Sequence, residues 1–320
     1  MDVSVCIVNW NTRDLLRSCL QSIAARTDGV AYEVIVVDNA SSDGSANMVT
    51  REFPSVRLIA SKDNLGFARG SNLAASIATG DCILYLNPDT ALATNALRGM
   101  WQTLTTQARC GAVSCRLLNS DGSVQLTCAS DIPSPRNELS SMLFLDRAFP
   151  SSALLSAREL AYWDHLDSRD VPCLSGACLM ARRGTLEQLG GFDESLFIYG
   201  EDVDLCCRIA ALGFTLRYMA NEVVFHHEGA ASRKKGPDYA PLRQRAANYY
   251  VLAKHFGVPR ALAYRCAVSL GSATRVCASL LLGPLLLLFG RVGLEQAKRF
   301  LQRHVSLLLW SIGLRRAPAR

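Results

Sequence analysis

Across the first third of the chain, short continuous apolar runs alternate with stretches in which apolar positions recur every three to four residues. Val3–Val8 precedes a helical pattern over Thr12–Ala25, Glu33–Val37 precedes Ser45–Glu52, Val56–Ala60 precedes Phe67–Ala78, and Asp81–Leu86 precedes Thr94–Thr106. That repeated strand-then-helix order predicts an α/β fold built on a parallel sheet. The strand runs are apolar throughout rather than alternating, as expected where helices cover both faces of the sheet. Ligands are then expected at the carboxyl ends of the strands.

The alternation stops after Gly111–Cys115. Asn119-Ser120-Asp121-Gly122 carries an Asp-Gly step, which predicts a tight hairpin. Residues 129–170 hold scattered prolines without sustained periodicity and read as an irregular or partly helical insertion. A second structured block begins at Val171 and passes through Gly190-Gly191-Phe192-Asp193. It continues into a helix from Glu201 to Leu212, with Gly213 placed to cap its end.

Composition narrows the class. Hydrophobic residues make up 49% of the 320 and charged residues 19%, which argues against disorder and leans toward membrane contact. The net charge is +6, and before residue 230 acids and bases are interspersed, so nucleic acid is not the expected partner. From Arg233 onward, sixteen Lys and Arg residues face only Asp238 and Glu295. The same region holds the apolar stretch Val276–Gly290, fifteen residues interrupted by Gly283-Pro284, short of the ~20 needed to span a bilayer. A basic, apolar tail of this kind suits helices lying on an anionic membrane surface or docked on protein, with Trp310 at headgroup level. The twelve cysteines include no C-x-x-C pair and several fall in apolar runs, which fits reduced, buried thiols. The amino terminus shows no basic segment ahead of its first strand, so no secretory signal is expected.

Five polar clusters stand out, four where strands end and one at a helix start. Asp38-Asn39-Ala40-Ser41-Ser42-Asp43 follows the second strand; Asp38 suits a nucleobase N–H, and the stretch also suits a turn leading to a helix cap. Asn64-Leu65-Gly66-Phe67 opens the third helix, where Gly66 permits close backbone approach at a helix N-terminus. Asn87-Pro88-Asp89 follows the fourth strand. One carboxylate there is enough to begin a divalent-cation site, because phosphates and water complete the shell. Glu201-Asp202-Val203-Asp204 places three acids at a helix start, favoured there by the helix dipole. Helical geometry puts Glu201 and Asp204 on one face and turns Asp202 about 100° away, so that one acid can face a cleft while another pairs with Arg208. Finally, Val223-Val224-Phe225 breaks into His226-His227, a candidate metal-ligand pair.

Taken in order, Val8-Asn9-Trp10-Asn11, Asp38-Asn39, Asn64-x-Gly66-Phe67, Asn87-Pro88-Asp89, Gly190-Gly191-Phe192-Asp193, Glu201-Asp202-Val203-Asp204 and Phe225-His226-His227 resemble the family 2 glycosyltransferases, and within them most the bacterial rhamnosyltransferase branch. The resemblance covers residues 1–230. It implies a GT-A-like, Rossmann-type mixed sheet flanked by helices, with the C-terminal apolar and basic helices as an appendage. The catalytic domain is expected over 1–230, divided into a nucleotide-binding half (1–115) and an acceptor half (116–230), and the membrane-associating region over 231–320.

The same resemblance implies site roles. Val8, Asn9, Asn11, Asp38, Asn64, Gly66, Phe67, Asn72 and Asn87 would surround the nucleotide, and Gly176 and Ala177 would lie near the donor sugar. Asp89 and His226 would hold Mg²⁺ or Mn²⁺, Asp202 would be the general base, and Glu201 is its nearest rival. Asn87 stands where the family pattern has the first Asp of Asp-x-Asp, which leaves a less anionic metal site. The expected reaction is inverting transfer from a nucleoside-diphosphate sugar, leaning to rhamnose, onto a glycan or lipid-linked precursor. The expected place is the cytoplasmic face of the plasma membrane, peripherally bound, and an oligomer is compatible with the chain. The competing expectation is a non-catalytic nucleotide-sugar-binding or scaffold subunit.

Overall fold

The structure, a computed structural model, describes residues 1–227, 238–288 and 293–317. Arg233 and its basic neighbours Lys234 and Lys235, Arg291 and Arg320 of the same tail, and the end of the apolar stretch at Gly290 lie outside the described residues.

In chain order the elements are β1 (Val3–Asn9), α1 (Arg13–Arg26), β2 (Tyr32–Asn39), α2 (Ser45–Glu52), β3 (Arg57–Ser61), α3 (Phe67–Ser76), β4 (Cys82–Leu86), β5 (Thr90–Leu92), α4 (Ala96–Thr106), β6 (Cys110–Leu118) and β7 (Ala129–Ser130). They continue with α5 (Pro135–Met142), α6 (Leu145–Ala148), β8 (Arg169–Asp170), β9 (Cys173–Leu174), β10 (Cys178–Arg182), α7 (Arg183–Leu189), α8 (Glu201–Ala211), β11 (Thr215–His226), α9 (Tyr239–Phe256), α10 (Val258–Leu288) and α11 (Leu294–Ser311).

The chain divides into two compact units, Met1–Asp131 with Asp164–Ala231, and Ile132–Trp163 with Ser232–Arg320. Residues 132–163, placed within a 1–230 domain by sequence reasoning, group with the C-terminal helices. Their start is set locally: Ser134 accepts a hydrogen bond from the Asn137 N–H at 3.1 Å and Pro135 occupies the first helical position, a standard way to open a helix.

The first unit is a mixed sheet in the order β3-β2-β1-β4-β10-β6-β11-β5, with β8 pairing β11. Strands β3, β2, β1 and β4 run parallel, β10 is antiparallel to both β4 and β6, and β6 and β11 are again parallel. Central β1 and β4 are buried along their whole length, which is why they read as unbroken apolar runs. Edge strand β3 is exposed at Arg57 and Ala60, unlike the central strands. The predicted hairpin is present: Leu118 bridges Val124 antiparallel, and Gly122 takes the left-handed conformation (φ 83°) that its turn requires.

The second unit packs α5, α9, α10 and α11 around a core containing Met142, Leu242, Leu252, Tyr264, Val268, Leu307 and Trp310. Helix α10 does not break at Gly283-Pro284, contrary to the sequence reading. It runs 31 residues to Leu288, because a proline removes one hydrogen bond and bends a long helix without having to end it. Over Val258–Gly283 it is long and apolar enough to cross a membrane by length and composition, but Ala261, Tyr264 and Val268 of the same segment belong to the unit's core.

Candidate active site

The candidate side chains gather at the carboxyl ends of β1, β2 and β4, where the parallel strands stop and the backbone turns sharply. Asn11 (φ 55°) and Ala40 (φ 60°) both adopt left-handed conformations just past β1 and β2. The two turns are laced together. The Asn9 amide donates to Asp38 Oδ1 at 2.9 Å, the Ser41 N–H donates to Asp38 Oδ2 at 3.1 Å, and Asn11 Oδ1 accepts the Ser42 N–H at 2.8 Å. Asp38 thus first closes its own loop, leaving only its remaining lone pairs for a ligand. Val8 is buried under α3, where Gly70 leaves room for its methyl groups, so it supplies apolar wall.

A second group forms around the start of α3. Asn64 Oδ1 accepts the Gly66 N–H at 3.0 Å, the Asn39 amide donates to the Gly66 carbonyl at 3.0 Å, and the Phe67 N–H donates to the Phe197 carbonyl at 2.7 Å. Gly66 has φ 82°, and a Cβ there would lie 2.5 Å from both the Phe197 ring and its carbonyl, so only glycine fits. Asn72, expected to meet the nucleotide, also joins two parts of the chain. Its amide donates to the Phe192 carbonyl at 2.9 Å and accepts the Phe192 N–H at 2.8 Å, which pins the Gly191-Phe192 turn to α3.

The third group contains the charged chemistry. Asp89 Oδ1 lies 3.3 Å from His226 Nε2, and the Asn87 amide nitrogen lies 3.3 Å from that same ring nitrogen. Both Asp89 and His226 are buried. His226 reaches this place because β11 pairs antiparallel with β5, setting His226 opposite Thr90. His227 points elsewhere: its backbone N–H donates to the Asp89 carbonyl and its ring meets Ser120 at 2.7 Å. On the far side of the ring, His226 Nδ1 is 2.6 Å from Gln125 Oε1. Sequence reasoning missed Gln125, since an isolated glutamine after a hairpin carries no signal until the strand it faces is known.

Asp202 adjoins this group through the 175–177 turn. Its Oδ2 accepts the Gly176 N–H at 3.0 Å, and the Ala177 carbonyl accepts the Asn87 N–H at 2.9 Å. The predicted donor-proximal pair therefore bridges the Asn87 and Asp202 positions. Burial pushes the Asp202 carboxyl above the usual Asp range, with the Gly176 and Val203 N–H groups partly opposing the rise. Glu201 is buried and is pushed up further, by burial first and by the neighbouring Asp202 charge second, and its Oε2 has no hydrogen-bond partner. Asp204 instead pairs with Arg208 at 2.8 Å, so the three acids divide as helical geometry predicts. Tyr199 just ahead of them holds φ 70°, an unfavourable conformation for a tyrosine and of the kind that collects at functional sites.

Residues 4–190 match the profile described as Glycosyl transferase family 2, and residues 159–313 match Glycosyl transferase family group 2. The chain belongs to glycosyltransferase family 2. This glycosyltransferase is 26% identical over 282 residues to an N-acetylglucosaminyl-diphospho-decaprenol L-rhamnosyltransferase of Mycobacterium tuberculosis, across 80% of this chain and 86% of that one. It is 24% identical over 233 residues to the rhamnosyltransferase WbbL of Escherichia coli, across 70% and 83% of the two chains. Among solved structures it is similar to the mannosyltransferase PcManGT of Pyrobaculum calidifontis, in complex with GDP-Man and Mn²⁺, with TM-score 0.59, 20% identity and coverage of 98% and 86%. Staphylococcus aureus TarS 1-349 in complex with UDP follows at TM-score 0.54 and 14% identity, with coverage of 98% and 81%. The fold is that of the GT-A glycosyltransferases, as the residue pattern implied.

The donor set at Asp89 and His226 fits a divalent cation. Two adjacent ligands of an octahedral ion bound at about 2.1 Å stand about 3.0 Å apart, close to the 3.3 Å between Asp89 Oδ1 and His226 Nε2. Among the described residues no cluster of three or more His, Cys, Asp or Glu could hold a metal, so a cation there needs oxygens from phosphate and water.

Proposed function

We propose that this glycosyltransferase moves a deoxysugar, with rhamnose favoured, from a nucleoside-diphosphate donor onto a lipid-linked or polysaccharide precursor, with inversion at the anomeric carbon. The observation that carries the reading is the joining of three elements at one strand end: Asp89 facing His226, and the 175–177 turn tying Asp202 to Asn87. The names of the two rhamnosyltransferase relatives support the choice of sugar and, in one case, of a lipid-diphosphate acceptor.

Asp202 is the general base. Its raised affinity for a proton suits it to take one from the acceptor hydroxyl as the acceptor oxygen bonds to the anomeric carbon and the bond to the diphosphate breaks. The N–H of Gly176 holds one carboxylate oxygen and that of Val203 the other, which fixes the direction in which the base can reach. Asp89 and His226 would hold Mg²⁺ or Mn²⁺, whose charge offsets the negative charge growing on the leaving diphosphate. Asn9, Asn11, Asp38 and the Asn64–Phe67 loop line the nucleotide end.

The helical unit supports peripheral attachment to the cytoplasmic membrane face. Leu262, Leu270, Leu280, Leu281 and Leu282 of α10 are exposed, while Arg265 and Arg275 of the same helix donate to backbone carbonyls of Trp310, Ser311, Ser141 and Met142. Leu262 and Leu270 point away from the face of Ala261, Tyr264 and Val268 that builds the core, and the consecutive Leu280–Leu282 are exposed around most of the helix, which leaves apolar surface for an interface. Full-length protein carrying Leu281→Glu should leave the membrane fraction for the soluble one, and unchanged sedimentation would remove this attachment.

The test of the chemical reading is a hydrolysis screen of dTDP-, UDP- and GDP-sugars with Mn²⁺ and then with chelator. A dTDP-deoxysugar is expected to turn over fastest, and the chelator to stop it. Preference for a UDP- or GDP-hexose would replace the sugar assignment, and full activity in chelator would remove the metal assignment.

A further inference from the structure

The 117–125 hairpin grips both histidines at the end of β11, Ser120 against His227 and Gln125 against His226. We infer that Gln125 is a positioning residue that fixes the tautomer of His226 and thereby presents its Nε2 lone pair toward Asp89. This rests on the proposed metal role of that pair.

A glutamine side-chain oxygen can only accept a hydrogen bond. At 2.6 Å from Gln125 Oε1, His226 Nδ1 must therefore carry the ring proton. With Nδ1 committed to Gln125, Nε2 is the ring nitrogen whose lone pair a cation can take, because the metal-binding form of the imidazole carries a single proton. Asn87 agrees with this assignment, because its amide NH₂ group, 3.3 Å from Nε2, needs an acceptor opposite. The lone pair then faces the Asp89 carboxylate at 3.3 Å, two electron-rich atoms whose proximity is relieved by a shared cation.

Gln125 is itself held so that its oxygen cannot turn away. Its amide donates to Asn119 Oδ1 at 3.1 Å, its backbone N–H donates to the Leu117 carbonyl at 2.9 Å, and the side chain is buried. Asn119 is locked in turn across the hairpin, its N–H donating to the Ser123 carbonyl at 2.8 Å and its amide to Ser123 Oγ at 3.0 Å. Partners of this kind, bonded to the far nitrogen of a metal-binding histidine, typically change metal affinity by about 10–100-fold when removed.

The experiment compares wild type, Gln125→Leu and Gln125→Glu in two measurements. The first is the ¹⁵N spectrum of the imidazoles in metal-free protein, with His226 assigned by its loss in His226→Asn. The second is titration of Mn²⁺ in the presence of dTDP, UDP or GDP, whichever wild type binds most tightly. Wild type and Gln125→Glu should show the Nδ1–H tautomer at His226, and Gln125→Leu should lose it and bind Mn²⁺ about 10–100-fold more weakly. An unchanged tautomer in Gln125→Leu overturns the inference, as does a changed tautomer with Mn²⁺ affinity within about twofold of wild type. Failure of wild type to bind Mn²⁺ at all overturns the metal reading and the inference with it, whereas failure in Gln125→Leu alone to differ overturns only the inference.

Discussion

Glu201 in the sheet unit and Glu138 in the helical unit are both buried glutamates near a helix start, yet their surroundings are opposite. Glu138 is met by Arg245 at 2.9 Å and Arg158 at 3.9 Å and accepts the Tyr264 hydroxyl at 3.0 Å. Burial alone would raise its pKa, but the two guanidinium charges and these hydrogen bonds outweigh it and hold the carboxyl below the usual range. Glu201 has an oxygen without a partner and an acid for a neighbour, so only a backbone N–H opposes the rise that burial imposes, and it does not outweigh it. The helical unit uses its buried acid to join Arg158 of the 132–163 segment to α9 and α10. The sheet unit leaves its acids under tension beside strained Tyr199, a state that costs stability and that chemistry can use.

The contrast predicts a division of mutational effects. Asp202→Asn should lower turnover about 10²–10⁴-fold, equivalent to about 2.7–5.5 kcal/mol, while nucleotide binding and urea stability stay near wild type. Near-normal turnover would assign the base elsewhere, with Glu201 next in line. Glu138→Ala should do the reverse. It leaves the half-buried Arg245 and Arg158 without their counter-charge, and the cost expected in urea unfolding is about 3 kcal/mol, the lower end for a broken buried pair. A loss under about 1 kcal/mol would mean that the cluster is solvated and the comparison mistaken.

The strand–helix half of the sheet unit was legible because its signal is local. Ser45–Glu52 is a helix at both of its expected ends, and Val3–Val8 gains only Asn9 as a strand. Gly213 caps α8 with φ 85° and donates to the Ala210 carbonyl, as a glycine after the last periodic residue predicts. Three things were out of reach for one physical reason, dependence on partners far along the chain. Residues 132–163 show no periodicity of their own because α10 supplies the surface they pack on, with Gly271 leaving room for Met142. Gln125 meets its histidine 101 residues later. The contact of Asn72 with a turn 120 residues away is likewise invisible in its own segment.

Opposite pKa shifts also predict opposite dependences on pH. Glu138, lowered in the folded state, contributes stability that is present above the ordinary Glu pKa of about 4.3 and lost as pH falls through its folded value. Glu201, raised in the folded state, contributes stability that is present below about 4.3 and lost as pH rises through its folded value. Urea stability measured across pH for wild type, Glu138→Gln and Glu201→Gln separates the two. The wild-type advantage over Glu138→Gln should shrink toward acid, and that over Glu201→Gln should shrink toward neutrality. Parallel trends would show that the two glutamates share one environment after all. In activity, the acid limb of kcat/KM should lie above the ordinary Asp range, since Asp202 as the proposed base must be deprotonated to act and burial has raised its pKa.

The smallest expected effect concerns Asn87, the position where the family pattern has aspartate. Asn87→Asp brings a second carboxylate to His226 Nε2 and Asp89, replacing an amide that now donates to the ring at 3.3 Å. Without cation the added charge repels Asp89 and should lower the melting temperature slightly. With Mn²⁺ and nucleotide the same charge attracts the cation, and because the position is partly solvated the gain should stay within about tenfold, or about 1.4 kcal/mol. The variant should therefore fall below wild type in chelator and match or exceed it in Mn²⁺. A crossing of this kind belongs only to a site whose acids wait for a positive partner. If Mn²⁺ fails to restore the melting temperature, the space between Asp89 and His226 is not a cation site, and their approach is an ordinary ion pair like those that fix the helical unit.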